Sequence, residues 1–186
     1  PGEVPQRKGE PIIVTQDEEF TNVILNKISS LRPAFTKDGT VTAANASTLN
    51  DGAAAVLLMS KEKAEALGLK PIAKIRGFAD AAQDPIWFTT TPALAIPKAL
   101  QHAGVSEKEV DYYEINEAFS VVGLANMKLL GLTDKNTNVN GGAVSLGHPL
   151  GCSGVRIIIT LLNDEGEPVF VWTISQAWPI KVEGPG

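Results

Sequence analysis

Strand-like and helix-like stretches alternate along this sequence, and the alternation predicts an α/β domain layered around a largely parallel sheet. Three observations carry that prediction. Helix starts and stops bracket Ser60 to Gly68, Thr91 to Gly104 and Glu117 to Gly131. Apolar runs at 52–60, 71–80 and 110–115 intervene as strand candidates. A last unit, a strand over 138–144 and a helix over 151–162, repeats the pattern.

Taken in order, residues 1–40 mix proline and charge, with a short strand at Ile12 to Val14 and a turn signal at Lys37-Asp38-Gly39. Residues 41–47 are small and polar, suited to tight backbone packing that leaves room for a ligand. The first helix is well marked: Ser60 caps it, Glu62 sits in its first turn and Gly68 follows its end. The second has Pro92 near its start, Gly104 after its end and an awkward Pro97 inside, where a kink is expected. Ser106 to Glu109 reads as a helix start or turn, Val110 to Ile115 as a strand, and 117–130 as a helix. From Asn163 the character changes to an acidic break, a short strand-like run over 169–174 and a Pro/Gly-rich finish.

With 186 residues, 44% hydrophobic and 20% charged, the chain can bury one sizeable core. A net charge of −5 and no block of Lys or Arg argue against a polynucleotide partner. A single cysteine cannot form an internal disulfide, and no apolar run is long enough to span a bilayer, so a soluble, intracellular protein without a membrane partner is expected. The sequence starts at Pro1 without a targeting pattern, so the true N-terminus is expected to lie upstream. A Walker-type loop, a G-x-G-x-x-G turn and a zinc cluster are all missing from the pattern.

Two strand-to-helix corners hold the chemistry-bearing residues. One is Glu114 to Phe119, with Asn116; the other runs from Asn138 to Gly154, where a glycine-rich turn presents His148 just before Pro149. Corners of this kind meet at the carboxyl edge of a parallel sheet, so His148 and Asn116 are expected in one site. From the residues alone, His148 stands equally well as a structural turn histidine. Glu117 reads first as a carboxylate favoured by the start of its own helix and second as a support to the site. Cys152, four residues after His148, could share a helix face with it, but its place between Gly151 and Ser153 favours packing.

Three motifs, Asn45 to Ala55 (NASTLNDGAAA), Asn116 to Phe119 (NEAF) and Gly147 to Pro149 (GHP), resemble the thiolase family in its order, most closely the acetoacetyl-CoA thiolases. The resemblance runs from about residue 10 to 162. It implies the layered αβαβα thiolase fold, present here in part. Residues 1–40 would close the loop domain, 41–68 the N-terminal core domain, 69–162 would be a truncated C-terminal domain and 163–186 a non-homologous tail. The implied activity is acyl transfer condensing two acetyl-CoA to acetoacetyl-CoA and CoA, or the reverse thiolysis. Alternatives are a non-catalytic subunit that binds intact subunits and a fragment of a longer-chain 3-ketoacyl-CoA thiolase.

In the family pattern His148 activates the acyl-carrying cysteine and donates to a thioester oxygen, while Asn116 anchors a water supplying the companion donor. Ser47 would bond a pantetheine amide, with Phe35, Ala43 and Phe119 lining the slot. Some relatives hold potassium through carbonyls that here belong to Ala43, Ala44, Ala46 and Val144; no other cofactor is implied beyond the coenzyme A substrate. The family's two reactive cysteines have no match, so the chain alone is expected not to turn over. The resemblance also implies a homo-oligomer, dimer or tetramer. It fits a cytoplasmic location, with peroxisome or mitochondrion as alternatives.

Overall fold

A computed structural model describes residues 2–15, 19–160 and 173–174. An antiparallel pair opens it: β1 (Gly2–Val4) runs against β2 (Ile12–Val14), with Gly2 opposite Val14 and Val4 opposite Ile12. Both strands are exposed throughout.

The core forms where two helices cross. In α2 (Pro92–Ala103) the buried residues Ala95, Ile96, Ala99 and Leu100 recur at the one-face spacing of a helix. They pack with Ala81, Val110 and Tyr113, and with Leu130 and Leu132 at the end of α3 (Ser120–Leu130). Pro97 lies on the exposed side of α2, where water can satisfy the carbonyl its missing N–H would have met, and the helix runs unbroken through it. Gly104 and Gly131 end the two helices with φ of 64° and 68°, in the left-handed region that glycine enters at no steric cost.

Asn126 links α3 to α2. It is fully buried; its Oδ1 accepts from Ala93 N (2.8 Å), and its Nδ2 donates to Thr89 O (2.8 Å) and Val122 O (2.7 Å). Thr91, at the start of α2, offers no side-chain cap, so Asn126 supplies one from another helix.

The sheet is shorter than the sequence suggests. β3 is Glu114–Ile115 alone, parallel to β4 (Thr173–Ile174) on one side and tied by a parallel bridge from Tyr113 to Thr137 on the other. The strand expected over 138–144 stops at that bridge, because Asn138 turns away with φ of 50°. Its carboxamide completes the ladder: Asn138 Oδ1 accepts from Ile115 N (2.7 Å) and Nδ2 donates to Ile115 O (2.9 Å). Beyond it, α4 (Ala143–Leu146) is a single helical turn where a strand was expected. The strands expected at 52–60 and 71–80 have no ladder partner among the described residues, and a strand exists only through such a neighbour. Their apolar side chains stand exposed, Leu57 at 81% and Phe78 at 73%.

The helix starts expected at Ser60 and Ser106 hold, while that expected at Glu117 falls at Ser120. Ser60 accepts from Lys63 N at the start of α1 (Lys61–Ala66), and Ser106 with Glu109 forms a capping box. The helix expected over 151–162 is α5 (Ser153–Thr160) as far as the described residues reach. The expected tail from Asn163 lies outside them except for β4.

Candidate active site

The segment 45–50 stitches the two corners together. Ser47 N donates to Ala118 O (3.0 Å) and Ser120 N to Asn45 O (2.8 Å), which sets Ala46 opposite Phe119 in an antiparallel bridge. Three residues on, Leu49 bridges His148, and His148 N donates to Thr48 O (3.0 Å). The Asn116 and His148 corners thus flank one strip of backbone, as their position in the sequence predicts.

His148 is buried at 7% exposure. Its Nδ1 lies 2.7 Å from Ser153 Oγ, and Ser153 Oγ donates to Pro149 O at 3.1 Å. A hydroxyl has one hydrogen, and a carbonyl can only accept. Both contacts are made together only when Ser153 accepts at Nδ1, the tautomer in which Nδ1 carries the ring proton and the lone pair is left on Nε2. Burial lowers the imidazole pKa from 6.5, and the nearby Arg156 charge lowers it further. The ring is thus held neutral with Nε2 as the base, a state suited to taking a proton from a thiol.

The backbone behind the ring is fixed as firmly. Asn50 Oδ1 accepts from His148 N (3.0 Å) and from Thr48 Oγ1 (2.8 Å), while its Nδ2 donates to Glu19 Oε2 (3.0 Å). Gly147, with φ of 85°, lies so close to this carboxamide that a Cβ there would overlap Asn50 Oδ1. Its glycine is required twice, by backbone conformation and by space.

Asn116 is buried at 7%, and its Oδ1 meets no donor among the described residues. An orphaned buried carbonyl is costly unless a water or ligand donates to it, which suits a water anchor. The neighbouring Glu117 departs from its favoured sequence reading. It precedes α3, yet its carboxylate stands at the start of α4, where a Cβ on Gly142 would overlap Oε2. Burial raises its pKa, and the neighbouring Asn138 amide, Val144 N–H and Arg156 charge oppose the rise.

Glu114 is buried at 3%, its Oε1 meets no donor among the described residues, and its pKa is pushed up to about 7 by burial, against the Arg156 charge and with a like-charge push from Glu117.

The residues expected to line a pantetheine slot gather on the same junction. Ser47 Oγ donates to Ala118 O (2.9 Å), so the hydroxyl's lone pairs remain to accept from an amide. Phe35 meets Phe119 edge to face, centroids 5.9 Å apart at 75°. Phe35 is 73% exposed and therefore not a core aromatic. Ala43 is exposed and Ala44 and Ala46 half-buried on the loop that bridges to Phe119; Val144 sits on α4 beside Glu117.

Cys152 is buried, and its Sγ faces Gly52, 3.6 Å from where a Cβ would stand. The Nδ1 of His148 belongs to Ser153. Cys152 instead walls an open groove of about 400 Å³ with Asn50, Pro149 and Arg156.

Sequence reasoning missed Asn50, Ser153 and Arg156, and of its two readings of Glu117 it favoured the first-turn carboxylate, whereas α3 begins only at Ser120. Ser153 had a signal, a hydroxyl five residues after the histidine at a helix start. Asn50 and Arg156 had none, since only folding brings them to the turn.

Among the described residues no helix is long and apolar enough to cross a membrane, and no group of three or more His, Cys, Asp or Glu is placed to hold a metal. Family models match twice: the thiolase N-terminal domain over residues 1–62 and the thiolase C-terminal domain over 69–168. An acetyl-CoA acetyltransferase of Schizosaccharomyces pombe is 62% identical over 162 residues, 87% of this chain and 41% of that protein. A relative from Gibberella zeae named as cytosolic is 57% identical (88% of this chain, 41% of that one), and one from Rattus norvegicus named as mitochondrial is 55% identical (84% and 37%). A Bacillus anthracis acetyl-CoA acetyltransferase structure superposes with a TM-score of 0.78 at 44% identity, covering 86% of this chain and 40% of that one. An Ascaris suum thiolase solved in complex with coenzyme A gives 0.72 at 49% identity (80% and 39%). The chain spans about two-fifths of the length of these relatives. With a thiolase α/β fold, both family models and the Asn116 and His148 corners joined on one strip of backbone, the chain belongs to the thiolase family.

Proposed function

We propose that this chain supplies the histidine and asparagine part of a site that condenses two acetyl-CoA into acetoacetyl-CoA and CoA, or runs the reverse thiolysis. The observation that carries this reading is the buried His148, whose Nδ1 lies 2.7 Å from a Ser153 hydroxyl that also reaches Pro149 O, an arrangement that favours the proton on Nδ1 and the lone pair on Nε2. Nε2 takes the proton of an acyl-accepting thiol; the resulting imidazolium donates to a thioester oxygen as negative charge develops there. Asn116 Oδ1 accepts from a water whose other hydrogen faces the same oxygen. Ser47 accepts from a pantetheine amide, and Phe35 and Phe119 give the thin apolar arm a wall beside the small Ala43.

Potassium suits the loop by donor chemistry: the carbonyls of Ala43, Ala44 and Ala46 accept no hydrogen bond from described residues, and with that of Val144 they would hold the ion. A cation there would supply a fixed charge that steadies the loop. Cys152, the sequence's one cysteine, is buried against Gly52, so the chain by itself binds the thioester without turning it over.

The test is a titration of the chain with acetyl-CoA, followed by the ring signals of His148 and the amide of Asn116. Both are expected to move in the wild type, and Ser47→Ala is expected to weaken the response. No response of either residue, or thiolysis of acetoacetyl-CoA that survives His148→Ala, would overturn the proposal. A second reading, assembly with further thiolase subunits, is favoured by exposed apolar side chains such as Leu57, Leu58 and Phe78. Light scattering that shows only a 19.7 kDa monomer at all concentrations would exclude self-assembly.

A further inference from the structure

The turn that carries His148 begins at a helix whose first amides need partners from elsewhere. In α4 the first N–H groups have no intrahelical acceptor, and Gly142, preceding them, has no side chain to offer one. A candidate partner comes from the other corner: the Glu117 carboxylate stands over Gly142, at the start of α4. Space for that carboxylate has been cleared on two sides. A Cβ on Gly142 would overlap Glu117 Oε2, and one on Gly123 would lie 2.8 Å from Glu117 Oε1. Asn138 in turn is bonded both ways to Ile115, immediately before Asn116. The chain of contacts therefore runs from the Asn116 corner, through Glu117, to the start of the segment that ends in His148.

We propose that Glu117 is a positioning residue that locks the His148 turn to the Asn116 corner by holding the Val144 amide, with Gly142 and Gly123 kept small to admit its carboxylate. Its relevance to catalysis rests on the acyl-transfer reading above; the lock itself does not. Glu117 touches neither a substrate nor the imidazole in this account. It fixes where the imidazole stands relative to the water-anchoring asparagine.

The experiment is amide hydrogen exchange at Val144 and the ring resonances of His148 in the 186-residue chain, across Glu117→Ala, Glu117→Gln, Gly142→Ala and the double variant Glu117→Ala/Gly142→Ala. In the wild type the Val144 amide is protected although it has no intrahelical partner, a result that requires no variant. Glu117→Ala lowers that protection about 10-fold or more and moves the His148 signals, while Glu117→Gln, which keeps an acceptor oxygen, retains most of it. Gly142→Ala does the same damage alone but adds little on top of Glu117→Ala, because the group it strikes is gone. An unprotected Val144 in the wild type, or a Gly142→Ala effect undiminished without the carboxylate, would overturn the proposal. If the lock signatures appear and acetyl-CoA leaves His148 unmoved in the wild type, the lock stands and the acyl-transfer reading falls.

Discussion

Removing the Ser153 hydroxyl tests the tautomer on which the chemistry of His148 depends. Ser153→Ala deletes the 2.7 Å contact at Nδ1. A hydrogen bond of this kind contributes about 0.5–1.5 kcal/mol net, which corresponds to a roughly 2- to 10-fold bias between the two neutral ring forms. The carbonyl of Pro149 loses the Ser153 hydroxyl but still accepts from Cys152 N (2.8 Å) and Ser153 N (2.9 Å), so no buried acceptor is orphaned. Stability should therefore fall by no more than about 1–2 kcal/mol, while the ring equilibrium shifts. Nitrogen NMR of the neutral ring reads the two forms directly. In the wild type Nδ1 is the protonated nitrogen and Nε2 carries the lone pair; in the variant the two nitrogens move towards averaged positions. The assay is run well above the ring's lowered pKa, where the neutral form dominates. A wild-type spectrum with the proton on Nε2, or a variant spectrum identical to it, would refute the argument from the single hydroxyl hydrogen.

Three further outcomes follow from the same geometry. Gly147→Ala forces a side chain into φ of 85° and against Asn50, and should cost about 2–4 kcal/mol in urea unfolding; a loss below about 1 kcal/mol would contradict the close approach. Asn126→Ala leaves Ala93 N–H and Thr89 O without their cross-helix partner and should cost about 3 kcal/mol by the same measurement, against less than about 1 if water replaces the carboxamide. Glu114 has a folded pKa of about 7 against an ordinary value of 4.5, so the folded state holds its proton more tightly and stability falls as pH rises through that window. The contribution is fully present below 4.5 and lost above 7, at most about 3 kcal/mol, and Glu114→Gln should flatten the stability profile between those limits.

The helices were legible in the sequence because their signals are local. Ser60, Gly104 and Gly131 act on amides and carbonyls within a turn of themselves, so a linear reading places them within a residue or two. The strands were not legible in the same way. The runs at 52–60 and 71–80 have the right residues, yet a ladder is a relation between segments, and no described segment pairs with them in one. At 138–144 the misreading has a named cause: Asn138 enters the left-handed region and substitutes its side chain for the strand it ends.

What the sequence by itself determined was the family and the two corners that carry His148 and Asn116, since those depend on residue type and order along the chain. What only the tertiary structure decided was the condition of those residues. Nδ1 is met by the Ser153 hydroxyl, the backbone of the turn is held by Asn50 from 98 residues away, and the Glu117 carboxylate is brought to the start of α4. Hydrogen bonds and desolvation act over a few ångströms of space, whatever the separation along the chain, so ring state and loop position are set only once the fold has brought the partners together.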